Sequence, residues 1–203
     1  MAKRGKRTDK VLPIIFKKME EDYSNMYEIA YLFNSEGGIQ EKWIGTKEEV
    51  EPKDFLENLY MFRTMPDEFV VAAHTHVNNF CFSLMDWDTL NGAEDRFLCM
   101  VLKCPNLFYV VSPSAGGYKK LDALQENWLK LYDYLNEQNN VRAVDWQAVR
   151  SCGGKKALNA FISYVLNAQI VPGVNCRLEA FPIDKEGDRI LKIFERERQK
   201  LIL

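Results

Sequence analysis

Residues 70–86, VVAAHTHVNNFCFSLMD, place both histidines of the 203-residue chain one residue apart at the end of an apolar run. A short continuous apolar run that ends in polar residues is typical of a buried strand. Side chains at positions i and i+2 of a strand point to the same face, so His74 and His76 are expected to converge on one point. The segment therefore predicts a buried strand whose end presents two imidazole rings together.

Two neighbouring imidazole rings indicate a shared divalent metal, because each ring binds a metal in its neutral form. A catalytic zinc site needs three protein ligands and an open position for water. The third ligand must be a carboxylate or a thiolate, and Asp86 and Cys81 are the nearest of each kind. Asp88 is a further candidate, but residues 86 and 88 lie about 200° apart on a helix. Only one of them can face the histidines, and we choose Asp86.

The same residues also have a purely structural interpretation. Ser83-x-x-Asp86 matches a capping box, in which the serine caps a helix and the acid three residues later reaches back to the backbone. His-x-His pairs also occur in ordinary strands. A helix cap and a metal site can coexist, so neither interpretation excludes the other.

The surrounding sequence predicts a mixed α/β (α+β) domain with helices flanking a mixed sheet. Two strands flank the Gly37-Gly38 turn, a helix follows over residues 52–65, and a further helix and strand follow the histidines. Residues 121–203 carry helical apolar stripes and one strand, CRLEAFPI. We therefore expect a domain over residues 11–120 and a mainly helical extension over residues 121–203 that packs on it.

Charge and cysteine content bear on the expected binding partners and cellular location of the protein. Lys and Arg total 27 against 29 for Asp and Glu, which gives no general argument for nucleic acid. The first ten residues, MAKRGKRTDK, contain five basic residues and predict a flexible arm, with nucleic-acid contact as the alternative. The five cysteines contain no C-x-x-C pair, and no signal peptide or long apolar span is present. These features predict free thiols, a cytoplasmic location and no membrane partner.

The pattern around the histidines resembles the JAMM (JAB1/MPN/Mov34) metalloproteases and their bacterial RadC-like relatives. That family carries a glutamate on an early strand, then H-x-H and S-x-x-D, and HTHVNNFCFSLMD supplies His74, His76, Ser83 and Asp86. Val77 stands where the family has proline, and the stretch from His76 to Ser83 is one residue shorter. The resemblance covers roughly residues 15–120.

The resemblance implies a JAB/MPN-like fold and a zinc-dependent amide hydrolase, a peptidase or isopeptidase. His74, His76 and Asp86 would hold Zn²⁺, and Ser83 would stabilise the oxyanion. Glu28, which stands in an otherwise apolar strand 46 residues before His74, would activate water. Taken alone, a charged residue there indicates the exposed start of an edge strand. The implied partner is a protein or peptide substrate, including ubiquitin-like conjugates.

Two further functions remain as alternatives. Many members of this fold have lost their metal ligands and serve as non-catalytic scaffolds. The RadC-like relatives are linked by name to DNA repair, to which the basic first ten residues give slight support.

Overall fold

The structure, a computed structural model, describes residues 2–50, 70–93, 97–114, 117–119, 124–136 and 143–201. The helix predicted over residues 52–65 lies outside these ranges. The described helices are α1 (Ala2–Asp22), α2 (Leu84–Ala93), α3 (Leu124–Asn136), α4 (Trp146–Arg150), α5 (Gly154–Ile170) and α6 (Lys185–Arg198). The described strands are β1 (Ile29–Phe33), β2 (Ile39–Ile44), β3 (Val70–Thr75), β4 (Phe97–Lys103), β5 (Leu107–Pro113) and β6 (Cys176–Pro182).

The strands form one six-stranded mixed sheet in the order β2-β1-β3-β4-β5-β6. β3 and β4 run parallel, and every other neighbouring pair is antiparallel. Parallel neighbours need a crossover connection, and α2 lies within the connection from β3 to β4. The predicted class, a mixed sheet flanked by helices, is confirmed at this level.

Helices cover both faces of the sheet, and each face has its own apolar core. On the first face, here called the α1 face, α1 packs Ile15 and Met19 against β-strand residues such as Val71 and Val101. On the second, here called the α5 face, strand residues such as Leu102 pack with side chains of α2, α5 and α6. Side chains alternate between the faces along each strand, so one strand contributes to both cores.

The hairpin of β1 and β2 follows the sequence prediction. Asn34 accepts a hydrogen bond from the backbone of Gly37 and donates one to the carbonyl of Gly38. Gly37 has φ +81°, and a Cβ there would lie 3.0 Å from Ile14 of α1. A side chain at this position would therefore strain the turn and crowd α1.

Two parts of the chain outside the histidine segment had their own sequence predictions. Residues 1–10 were expected to form a flexible arm, whereas residues 2–10 continue α1, because Ala, Lys and Arg are good helix formers. Residues 121–203 were expected to form a mainly helical extension with one strand that packs on the first domain; that strand, β6, pairs with β5 as the sixth strand of the sheet. In the described part of the chain, no helix combines the length and apolar character that crossing a membrane requires.

Candidate metal centre

Three possible metal ligands meet at the end of β3 and the start of α2. The Nε2 atoms of His74 and His76 are 3.2 Å apart, and His74 Nε2 lies 3.3 Å from Asp86 Oδ1. The possible ligand atoms of the three residues all lie within 4.8 Å of one another. Three electron-pair donors at such separations repel one another unless a proton or a cation lies among them. The residues therefore fit a small divalent metal ion.

Hydrogen bonds to the backbone hold His76 in place. Its Nδ1 lies 3.0 Å from the carbonyl oxygen of Phe80, so Nδ1–H donates and Nε2 keeps a free electron pair. The backbone N–H of His76 donates to Lys103, and its carbonyl accepts from the Tyr23 hydroxyl at 3.2 Å. The thiol of Cys104 donates to the same Phe80 carbonyl. These contacts orient the His76 ring with Nε2 towards His74.

Ser83 and Asp86 form the predicted capping box at the start of α2. Asp86 Oδ2 accepts from the backbone N–H of Ser83 at 2.6 Å and from its hydroxyl at 2.8 Å. The backbone N–H of Asp86 lies 3.3 Å from Ser83 Oγ. Because Oδ2 is engaged by Ser83, Oδ1 is the oxygen that faces His74. The helix cap and the ligand cluster coexist in this structure.

Burial and neighbouring charges set the protonation of the cluster. Burial, reinforced by the charge of His74, lowers the pKa of His76 to about 4, so the ring is neutral at pH 7. Burial opposes ionisation of Asp86, but the two histidines and the bonds from Ser83 hold its pKa below the ordinary value. Neutral imidazole and ionised carboxylate are the protonation states that bind metal.

Glu28 lies immediately before β1, which is the strand that pairs with β3. Ala30 pairs with His74 in the antiparallel ladder, which places Glu28 opposite His76 and on the same face. The side chain is buried, and burial, followed by the negative charges of Asp86, Glu48 and Glu49, raises its pKa to about 8. The fold therefore brings Glu28 to the cluster with an affinity for protons that suits proton transfer near neutral pH.

A cavity of about 970 Å³ opens over these residues. Glu28, His74, His76, Ser83 and Asp86 all line it. A second set of lining residues comes from the loop after β2, the loop after β3 and the start of α5: Lys47, Glu48, Glu49, Val50, Val77, Asn78, Phe80 and Lys156. A volume of this size holds a ligand considerably larger than a water molecule.

The structure also places Cys81 and Asp88, the alternative ligands, and the aromatic residues near them. Cys81 is fully buried, and neither it nor Asp88 belongs to the ligand cluster found among the described residues. Phe82 is buried in the core, whereas Phe80 lines the cavity. Trp87, also fully buried, is a core residue.

Asn167 of α5 contributes to the site, although the sequence analysis did not identify it. Its Oδ1 accepts from the Trp87 indole at 2.8 Å, and its Nδ2 donates to the Phe82 carbonyl at 2.8 Å and to Ser163. Asn167 is fully buried. A single side chain therefore ties α2 and the loop before it to α5. A polar residue within an apolar helical stripe was the available sequence signal.

A scan of family models, a search of curated proteins and a search of solved structures each gave no match to the chain.

Proposed function

We propose that this protein is a zinc-dependent amide hydrolase acting on polypeptides. The observation that carries the proposal is the meeting of His74, His76 and Asp86 in one cavity wall with buried Glu28 beside them. Three protein ligands of types N, N and O leave a tetrahedral metal one open position, as catalytic zinc sites require. When bound there, zinc would supply Lewis-acid activation of water and of the scissile carbonyl.

Glu28 would act as the general base and then as the general acid. Its carboxylate accepts a proton as the water oxygen attacks the carbonyl carbon, and it later delivers a proton to the amine nitrogen as the C–N bond breaks. In the metal-free chain, burial raises the pKa of Glu28 to about 8, and a carboxyl group with a pKa near neutrality can both take and give a proton. Burial beside the ligand cluster is what gives Glu28 this property.

Ser83 would stabilise the negative charge that develops on the carbonyl oxygen. Its side chain is exposed and lines the cavity, with the hydroxyl directed at Asp86 Oδ2. The backbone N–H of Ser83 bonds the same oxygen, so the hydroxyl can turn to a substrate without leaving Asp86 unsupported. Loss of such a donor typically lowers kcat by about 10²- to 10³-fold.

The JAMM resemblance supports the same chemistry and a finer description of the fold. Glu28, His74, His76, Ser83 and Asp86 are the residues that match that family's motif, and these five line one cavity. We propose on this basis a JAB/MPN-like arrangement for the sheet and α2. The large cavity would hold an extended polypeptide, including the tail of a ubiquitin-like protein.

The test compares wild-type protein with Glu28→Gln, each loaded with zinc. Both should contain one zinc per chain by elemental analysis, because Glu28 is outside the ligand cluster. Wild type should cleave amide bonds in a mixed peptide library or an isopeptide-linked ubiquitin-like tail, measured by mass spectrometry. Glu28→Gln should lose at least about 100-fold in rate, the lower bound for a general base. Glu41→Gln, exposed on β2, is the matched control.

Unchanged cleavage by zinc-loaded Glu28→Gln would overturn the role of this carboxylate. A wild-type protein that takes up no zinc after reconstitution would favour the non-catalytic scaffold instead. Salt-sensitive DNA binding that disappears on removal of residues 1–10 would favour a DNA-associated role.

A further inference from the structure

A second cavity of about 210 Å³ opens beside the proposed catalytic centre. It shares three lining residues, Val77, Asn78 and Lys156, with the large cavity. Val77 directly follows the ligand His76 in the chain. A polypeptide lying across the metal ligands therefore passes the opening of the smaller cavity.

The inner wall of this small cavity is apolar. Ala157 and Ala160 of α5 face Ile190 and Phe194 of α6 across it, and all four side chains are buried. Two alanines on one helix leave space that larger residues would fill. Transfer of an apolar side chain from water into a cavity with such walls is favourable by about 25 cal/mol per Å² of apolar surface buried.

The rim is polar and is held by its own hydrogen bonds. Asn79 Nδ2 donates to Asn106 Oδ1 at 3.1 Å, and the Asn106 backbone N–H donates to Asn79 Oδ1 at 3.2 Å. Asn106 also donates to Asp184 at the start of α6. The opening is thus preformed, which reduces the ordering cost of binding.

Asn78 lies on the border between the two cavities. Its Oδ1 accepts from the backbone N–H of Phe80 at 2.9 Å, which fixes the amide group. Its Nδ2 has no hydrogen-bond partner among the residues that the structure describes. That nitrogen is available to donate to a carbonyl oxygen of a bound polypeptide.

We propose that the small cavity binds a large apolar side chain of the polypeptide substrate, next to the scissile amide, while Asn78 bonds the substrate backbone. This inference rests on the proposed function. Whole-ligand pockets usually measure about 300–1,000 Å³, so a space of 210 Å³ suits one side chain rather than an entire ligand. The subsite selects Leu, Met or Phe over small or charged residues.

The first experiment measures binding without hydrolysis. The zinc-loaded full-length protein, labelled at its alanine methyl groups, is titrated with N-acetyl-phenylalaninamide and followed by NMR. The Ala157 and Ala160 methyl signals should shift on binding. Ala157→Leu should lower the affinity for the probe by about tenfold or more, because one or two methylenes change affinity by that factor in an apolar pocket. N-acetyl-glycinamide should cause no shift at either methyl.

Ala168→Leu is the matched control, because residue 168 is on the same helix but lines neither cavity. Thermal melts and zinc content establish that each variant is folded and loaded. If Ala157→Leu does not fold, the smaller change Ala160→Val replaces it and should also lower the affinity for the probe. Absence of shifts at both alanines, or equal binding by wild type and the filled variants, would overturn the subsite.

The second experiment maps cleavage sites in a mixed peptide library by mass spectrometry. Wild type should favour a large apolar residue at one fixed position beside the cleaved bond, and Ala157→Leu should lose that preference. The same preference in both proteins would overturn the subsite. Probe binding without any cleavage would overturn the hydrolase proposal alone, so the two failures are distinguishable.

Discussion

Val71, Ala73 and Thr75 of β3 face α1, whereas Ala72, His74 and the following His76 face the large cavity. Val71 and Thr75 are fully buried, and Thr75 Oγ1 accepts a hydrogen bond from the backbone N–H of Ile29 at 2.8 Å. The second set lies at a surface with water access. One strand therefore packs in the core of the α1 face on one side and presents the proposed metal ligands on the other. Substitutions on the two faces should have separable effects.

The largest expected effect is loss of metal from the cavity side. His74→Ala/His76→Ala should abolish zinc binding. The loss of affinity should exceed the roughly 10- to 100-fold that follows from losing a residue hydrogen-bonded to a metal ligand. Elemental analysis after zinc reconstitution and gel filtration measures the zinc content per chain. Thr75→Ser, between the two histidines but facing α1, should retain one zinc per chain. Equal zinc content in the double variant and wild type would break the comparison.

The matching change on the α1 face should affect stability alone. Ile15 of α1 is fully buried, so Ile15→Ala should lower the free energy of unfolding by about 2–5 kcal/mol. Urea unfolding of the metal-free proteins measures this difference. Ile14→Ala is the control, because Ile14 on the same helix is 44% exposed and should cost far less. Zinc per folded chain should not change; if it fell with Ile15→Ala, the two faces would not be independent.

An intermediate case tests how the second half of the chain supports the site. Asn167→Leu removes the hydrogen bonds to Trp87 and Phe82 and leaves their buried polar groups unpaired. Each unpaired group should lower the free energy of unfolding by about 1–3 kcal/mol. Because α2 carries Asp86, zinc affinity should also fall by roughly 10- to 100-fold, measured by competition with a chelator. Gln169→Leu, exposed on the same helix, should change neither quantity. Unchanged affinity in Asn167→Leu would show that α2 is held by packing alone.

The last prediction is a pH dependence and concerns Glu28 in the metal-free protein. Its pKa rises from 4.5 to about 8 on folding, so the folded state holds a proton that the unfolded chain releases across this interval. Wild-type stability should therefore fall as pH increases from about 4.5 to 8. Glu28→Gln cannot ionise and should melt higher than wild type at pH 8, by roughly 2–4 °C per kcal/mol relieved. The two proteins should melt alike near pH 4, and a pH-independent difference would contradict the assignment.

The proximity of His74, His76 and Asp86 could be predicted from the sequence because the geometry that sets it is local. The i, i+2 relation of His74 and His76 follows from strand periodicity, and the capping pattern positions Asp86 on the first turn of α2. Glu28 was reached only through the family resemblance, since pairing between β1 and β3 is set by the sheet and not by spacing along the chain.

The long-range parts of the structure were not predictable from local patterns. Asn167 reaches Phe82 across 85 residues; its place in an apolar helical stripe marks it as unusual, but neither segment identifies the other as its partner. The small cavity depends on how α5 and α6 pack, which their apolar stripes do not fix. Residues 2–10 were assigned by charge to a flexible arm, although their helix propensity favours α1.

The distance along the chain between Asn167 and the loop it supports also bears on protein synthesis. Ribosomes add about 5–20 residues per second, so a nascent chain carries His74, His76 and Asp86 for several seconds before residue 167 is made. During that interval β5 has no β6 beside it, and the Phe82 carbonyl lacks its Asn167 partner. If the proposed site binds a metal, the hydrogen bonds that support its ligands would be complete only after residue 167 has emerged.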